Sequence, residues 1–257
     1  MVPQQSPAHQ PLEFILPNEP IKIASNHPVK AVLFDLDDTL WPIVPVIQQA
    51  EAQMHAWLQQ HVPAVADQWS IDRLRARRSA LMLENPHFQI DLWSLRHAGL
   101  TEAFIACDAD TALIDAAMAV FSEARNAVTP FEDVVPALAR LGSQVRLGSI
   151  SNGFADLHKI GLAAHFRTSL AAHSFGRAKP DPAIFHAACA ALAIAPEHAV
   201  YVGDDLQLDV EAAQNAGLRA VWMNRFARTL PATVRPDAVC SNLFELERWL
   251  ADATRHA

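Results

Sequence analysis

The sequence predicts an α/β fold, a parallel sheet with helices on both faces and an all-helical block inserted after the first strand. Three observations predict it. Val32-Leu33-Phe34 is an apolar run that breaks into the polar Asp35-Leu-Asp-Asp-Thr39, as expected of a strand buried on both faces that ends at a loop. From Phe131 onward, short β-branched runs alternate with helical patterns, which is the signature of βα units. Between them, residues 44–128 carry only helical periodicity.

The chain has 257 residues, 51% of them hydrophobic and 19% charged. This suits a core domain with a sizeable insertion. The expected organisation is an N-terminal arm over 1–28, a core built from 29–43 and 129–257, and a helical cap over 44–128. The arm is rich in Pro, Gln, Asn and His, with one apolar patch at Phe14-Ile15-Leu16. It reads as a flexible segment able to lie on the body.

Within the insertion, Ile47, Ala50, Met54, Trp57 and Leu58 recur at three- and four-residue steps. A second apolar face runs through Leu74, Leu81 and Met82, and a further long helix presents Ile114, Ala117, Met118, Phe121 and Ala124. Pro63 and Pro86 punctuate the helices. The basic run Arg73-Leu-Arg-Ala-Arg-Arg78 spreads its charges around what should be a solvated face. Trp57, Trp69, Trp93, His87 and Arg96 are expected to pack or to face solvent rather than to meet a ligand. Trp41, directly after the polar loop, stands closer to any chemistry.

In the second half, a helix over 131–141 closes at Gly142, and the strand Val145 to Ile150 ends at Ser151-Asn152-Gly153. A helix over 154–162 and a strand at 169–172 follow. After Arg177-Ala-Lys179-Pro180, Asp181-Pro182 opens a helix with proline at its first position. Ala199-Val-Tyr-Val202 is a strand that breaks at Gly203-Asp204-Asp205. Strands at 218–223 and 238–240 and a helix at 243–250 complete the pattern.

Several classes are disfavoured. The formal net charge of −8 opposes general nucleic-acid binding, which depends on clustered Lys and Arg. No segment reaches the roughly 18 apolar residues of a membrane span, and no secretory signal is present at the N-terminus. Three widely spaced cysteines suggest reduced thiols in a cytoplasmic protein rather than disulfides or a zinc site.

If the strands are parallel neighbours, four strand ends gather Asp35, Asp37 and Thr39, then Ser151 and Asn152, then Lys179, then Asp204, Asp205 and Asp209, at one edge of the sheet. Carboxylates from separate strands suit a hard cation such as Mg²⁺, which with Lys179 would offset the charge of a phosphate. Asp35 is placed as nucleophile. Asp37 is placed to protonate the leaving oxygen and then to deprotonate water. Thr39, Ser151, Asn152 and Lys179 are candidate phosphate ligands.

These motifs, in this order and spanning residues 30–225, resemble those of the haloacid dehalogenase-like phosphohydrolases. The resemblance implies a Rossmann-like core and a cap of the family's first subclass. It implies Mg²⁺ held by Asp35, Asp204 and the main-chain carbonyl of Asp37, with Asp205 or Asp209 assisting the metal and the lysine. Asp38 stands where many members carry Gly or Asn. Dehalogenases of the family lack the second acid of the first motif, so Asp37 argues against that activity. Phosphonatases need a cap lysine, and residues 44–128 contain none. Phe-Asp-Leu-Asp-Asp-Thr-Leu, Arg-Ala-Lys-Pro and Val-Gly-Asp-Asp-Leu-x-x-Asp-Val also resemble the bacterial members that act on flavin mononucleotide and on the ribitylaminopyrimidine phosphate of riboflavin synthesis. The expected substrate is a small phosphorylated metabolite. Phosphoglycolate, a nucleotide or a sugar phosphate, phosphomutase chemistry, and a phospho-aspartate switch all stay open as alternatives.

Overall fold

A computed structural model describes residues 27–255; the arm expected over 1–28 lies almost wholly outside the described residues. Strand β1 (Ala31–Phe34) leads into five helices: α1 (Ile43–His61), α2 (Pro63–Gln68), α3 (Ile71–Glu84), α4 (Leu92–Ala106) and α5 (Ile114–Asn126). The chain then returns through α6 (Val134–Gly142), β2 (Arg146–Ser151), α7 (Leu157–Ile160), β3 (Thr168–Ala171), α8 (Ala172–Phe175), α9 (Pro182–Ala191) and β4 (Ala199–Gly203). A wide turn over Leu206–Glu211 runs into α10 (Ala212–Asn215), followed by β5 (Arg219–Met223), β6 (Ala238–Cys240) and α11 (Leu243–Arg255).

The six strands are ordered β3-β2-β1-β4-β5-β6, and every pairing is parallel. This is the doubly wound order, whose direction of winding reverses beside β1, so the crevice for a ligand lies beyond the tips of β1 and its neighbours. Alternation along β1 shows why the run is apolar throughout. Val32 and Phe34 pack with Leu138, Leu141, Leu243 and Leu246 of α6 and α11, while Ala31 and Leu33 pack with Ile184, Phe185 and Ala188 of α9. Both faces are covered, and each fully buried Leu or Phe contributes about 1.5–3 kcal/mol.

The inserted helices have a core of their own. Met54 and Leu58 of α1, Leu100 and Phe104 of α4, and Met118 and Phe121 of α5 meet in a third cluster. The two connections to the sheet domain run side by side, with the Phe131 amide donating to the Leu40 carbonyl at 3.0 Å. Asp38 at the exit adopts φ +58°, the left-handed region that Asp tolerates better than most residues. Its Oδ1 accepts from the amide of Ile43, the first residue of α1, at 2.9 Å. Asp38 therefore satisfies the first free amide of the insertion from outside the helix, whose N-cap position is Pro42.

Three local expectations are revised. The helix foreseen over 154–162 shrinks to Leu157–Ile160, because Asp156 caps its start and Gly161, at φ +83°, ends it. The helix foreseen from 131 begins at Val134, since Phe131 is engaged by Leu40. The basic run of α3 is not simply a solvated face. Arg75 and Arg78 turn onto Glu51 of α1, which is 1% exposed and also accepts from Arg96 of α4 at 3.4 Å. Burial pushes the Arg96 guanidinium down to about 9, with Arg78 adding and Glu51 opposing.

One buried carboxylate thus answers three guanidinium groups. Replacing it, Glu51→Gln, takes that charge from all three and leaves Arg75 with the exposed Asp72, a change that costs on the order of 3–5 kcal/mol at a buried pair. A fall in Tm on the order of 10 °C is expected, read by calorimetry; an unchanged Tm would refute this account of α1, α3 and α4.

Candidate active site

Parallel pairing brings the strand tips together. The amide of Asp35 donates to the Val202 carbonyl at 2.8 Å, so the loop after β1 starts level with the end of β4. The Lys179 ammonium lies at the centre, 5% exposed. It donates to Asp35 Oδ1 at 2.6 Å, to Asp209 Oδ1 at 2.6 Å and to the Tyr201 hydroxyl at 3.0 Å, which uses all three of its hydrogens. The Tyr201 hydroxyl, in β4, donates in turn to the Ile150 carbonyl near the end of β2 at 3.2 Å. Burial alone would favour the neutral amine, but Asp209 and Asp35 outweigh it and hold the lysine well above its ordinary pKa. Lys179 therefore acts on its surroundings through its charge.

The sequence delivers these groups by local devices. The Asn152 side chain accepts from the Lys179 amide at 2.8 Å and donates to the Lys179 carbonyl at 3.0 Å. The amide expected to meet phosphate is thus a clamp on the Lys179 backbone. Asp205, expected to assist the metal and lysine, accepts from the amides of Gln207 and Leu208 at 2.8 Å, which caps the turn that follows β4. That turn is widened, since both Asp209 and Val210 amides reach the Asp205 carbonyl. Wide turns of this kind are frequent at functional sites. Gly203 lets Asp209 fold beneath the strand end, because a Cβ there would lie 2.3 Å from the Asp209 carboxyl carbon. Asp209 Oδ2 accepts from the Asp205 amide at 2.9 Å, so both of its oxygens are engaged.

Thr39 Oγ1 is 3.4 Å from Asp35 Oδ2, and its carbonyl accepts from Arg225 at 3.0 Å. Ser151 accepts from the Gly153 amide at 3.0 Å, which leaves its hydroxyl proton available to a ligand oxygen. Asp37 faces a different environment. Trp41 Nε1 donates to its Oδ1 at 2.8 Å, and Arg125 of α5 donates to Oδ1 and Oδ2 at 2.8 and 2.7 Å.

The carboxylate oxygens of Asp35, Asp204 and Asp209 come within 4.8 Å of one another, the one such group among the described residues. The Asp37 side chain lies outside this cluster and is turned to Arg125 and Trp41, which leaves its main-chain carbonyl as the group the resemblance offers to a metal. Burial raises Asp35 well above the usual carboxylate range against the pull of Lys179, with Asp209 and Asp37 adding to it. Asp204 is pushed up to about 6 by burial and Asp209, opposed by Arg228. Arg228 donates to the Asp204 carbonyl and to its Oδ2, and Trp222 holds the same carbonyl at 2.8 Å. Three crowded acids share Lys179 and Arg228, an acid excess made of oxygen donors that fits a hard divalent cation.

A cavity of about 350 Å³ lies between the insertion and the sheet domain, reaching Asn126 and Phe154, next in sequence to Arg125 and Gly153, rather than the clustered acids themselves. Trp93, Ser122 and Asn126 line it from one side and Phe154, Lys159 and His173 from the other. Arg125, Tyr201, Arg225 and Arg228 were not singled out in the sequence. Two of them carried a readable sign. Tyr201 is the only tyrosine of the chain and interrupts an apolar strand, while Arg125 falls four residues after Phe121, on the apolar stripe of its helix.

With this geometry established, comparison with known proteins gives the family. The model of the haloacid dehalogenase-like hydrolases matches residues 29–217, and the chain belongs to that family. Two curated relatives are phosphatases. The glyceraldehyde 3-phosphate phosphatase of Methanopyrus kandleri is 30% identical over 77% of this chain and 84% of its own length. The 5-amino-6-(5-phospho-D-ribitylamino)uracil phosphatase of Escherichia coli is 29% identical over 76% and 83%. Among solved structures, a 2-haloacid dehalogenase from Pseudomonas syringae pv. Tomato DC3000 superposes with a TM-score of 0.82 at 37% identity, covering 87% of this chain and 99% of that one.

Removing the central cation tests the electrostatic account. Lys179→Met leaves Asp35 and Asp209 facing each other in a buried site, at a cost of about 3–5 kcal/mol at pH 8 in the presence of chelator. A buried carboxylate whose folded pKa is raised takes up a proton more readily when folded than when unfolded, so folding gains as the pH falls. The stability deficit of the variant, measured by urea unfolding, is expected to shrink between pH 8 and pH 5. A deficit constant over that range would contradict it.

Proposed function

We propose that the protein hydrolyses small phosphate monoesters through a covalent phosphoryl group on Asp35. One observation carries the reading. A buried carboxylate, ion-paired to Lys179 at a parallel sheet edge, stands two residues from a second carboxylate, Asp37, that faces the inserted helices. An Asp35 oxygen attacks phosphorus, the bond to the ester oxygen breaks, and the carboxyl of Asp37 gives its proton to the departing alkoxide. Asp37 then takes a proton from water as the water oxygen attacks the same phosphorus, which releases phosphate and restores Asp35. The Ser151 hydroxyl is the side-chain donor left for a phosphate oxygen, whereas the buried Thr39 hydroxyl turns to Asp35, and Lys179 balances charge from below.

The cation we expect in the acidic cluster is Mg²⁺, which Asp35 and Asp204 would hold together with the main-chain carbonyl of Asp37. When bound it offsets the charge of the incoming phosphate. Asp209 ties Lys179 to the Asp205 amide, and its charge would add to the hold of the cluster on the ion. Two phosphatases among the relatives support this reading, and the cavity lined by Trp93 and Phe154 offers the leaving group an aromatic wall. The riboflavin-pathway phosphate and flavin mononucleotide stand first as substrates, on the motif resemblance and on the similarity to the E. coli enzyme.

The similarity to the Pseudomonas dehalogenase favours a second reading, in which Asp35 attacks a carbon bearing a halogen. Halide leaves without a proton, so that chemistry has no use for an acid at Asp37. The two readings separate in one assay. Phosphate release from an aryl phosphate and from a panel holding flavin mononucleotide, the ribitylaminouracil phosphate, glyceraldehyde 3-phosphate, phosphoglycolate, nucleoside monophosphates and sugar phosphates is expected to require Mg²⁺. It should fall by about 10⁴-fold or more in a folded Asp35→Asn variant, with no halide released from 2-haloacids. Activity indifferent to chelator, or surviving in Asp35→Asn, would overturn the proposal.

A further inference from the structure

Arg125 is the penultimate residue of α5, at the point where the inserted helices hand the chain back to the sheet domain. It is 2% exposed, and its NH2 contacts both oxygens of Asp37. The remaining hydrogen bond to that carboxylate comes from Trp41, on the outgoing connection two residues before α1. The two connections of the insertion therefore grip one side chain between them. Gly153 permits the approach from the loop after β2, since a Cβ there would lie 3.0 Å from Asp37 Oδ2, 3.3 Å from Ser151 Oγ and 3.4 Å from Arg125 NH2. The next residue, Asn126, accepts from the Asp156 amide at 2.8 Å, so the end of α5 is tied to the loop after β2 as well.

Resting on the phosphatase reading above, we infer that Arg125 is a positioning residue that fixes the Asp37 carboxylate and makes its alignment depend on how the inserted helices seat on the sheet domain. A carboxylate on a short side chain has freedom about two torsions. Here the guanidinium restrains it from the insertion side and the indole from the core side. Displacing α5 withdraws the guanidinium from Asp37, whereas Lys179 and Asp35, both on the sheet domain, keep their contact. The nucleophile is thereby built into the rigid core, and the proton donor is completed by the insertion.

The leaving group gives a way to see this. Departure of an alkoxide needs a proton in the transition state, whereas a nitrophenolate departs without one, so only the first depends on a well-placed acid. A misplaced catalytic group costs on the order of 100-fold. The experiment compares kcat/KM, which reports steps up to phosphoryl transfer, for an alkyl phosphate and para-nitrophenyl phosphate with Mg²⁺ in wild type, Arg125→Gln and Arg125→Lys. The alkyl ester should lose about 100-fold in Arg125→Gln and the aryl ester only a few-fold, with Arg125→Lys intermediate on the alkyl ester. Equal losses on both esters would mean that Arg125 binds phosphate or only supports the fold, and would overturn the inference, as would no loss on either. Should Arg125→Gln fail to fold by circular dichroism, Arg125→Lys decides alone by the same criterion. Failure of the wild type to release phosphate from either ester would instead remove the phosphatase reading itself.

Discussion

The structure depends on the burial of one ammonium between two carboxylates at a sheet edge. Lys179, Asp35 and Asp209 come from three separate segments, and none of them is tolerable alone in such a place. Each needs the other two. The consequence is that the ends of β1 and β4 and the segment after β3 are held in mutual register by electrostatics as well as by backbone pairing. The hydroxyl of Tyr201 extends this tie to β2 through the Ile150 carbonyl. With its three hydrogens already placed, the ammonium is preorganised, and its charge meets a ligand without further movement.

Around that centre, smaller constraints become intelligible. Asn152 uses both polar atoms of its amide on the backbone of Lys179. Gly203 has no side chain because the Asp209 carboxylate occupies the space. The widened turn after Asp205 supplies the reach that brings Asp209 back under its own strand. Arg225 joins the Thr39 carbonyl to Asp133 at the start of α6, and Asp133 in turn accepts from the amide of Leu243 that begins α11. The polar loop after β1 is therefore braced by both helices that cover that face of the sheet.

Much of this was legible in the sequence because it depends on position along the chain. A strand buried on both faces must be apolar, so the point where polar residues begin marks its end, and four such points in order fixed the edge where Asp35, Ser151, Lys179 and Asp204 meet. What escaped reading depends on partners distant in sequence. Nothing near Glu51 announces that three guanidinium groups close on it from α3 and α4, and the run from Arg73 to Arg78 accordingly looked like solvated surface. Asn152 and Asp205 were recognised as polar groups at the right edge. Their hydrogen bonds turn inward to the backbone, which residue type alone does not disclose. Arg228 reaches Asp204 from the loop after β5, a stretch without a motif.

Asp35 and Asp37 are separated by one residue, yet the structure treats them differently. Strict alternation would put residues i and i+2 on one side, but the chain leaves β1 at Phe34 and turns at Asp38, at φ +58°, so the two side chains reach different surroundings. Asp35 looks into the core, toward a lysine whose position the sheet determines. Asp37 looks outward, toward an arginine and a tryptophan that belong to the two connections of the helical insertion. An insertion placed directly after this motif is thus favourably situated, because both of its ends pass the outward-facing acid whatever its interior does. In this chain, the division of labour between sheet edge and helical insertion follows from which way the two carboxylates point.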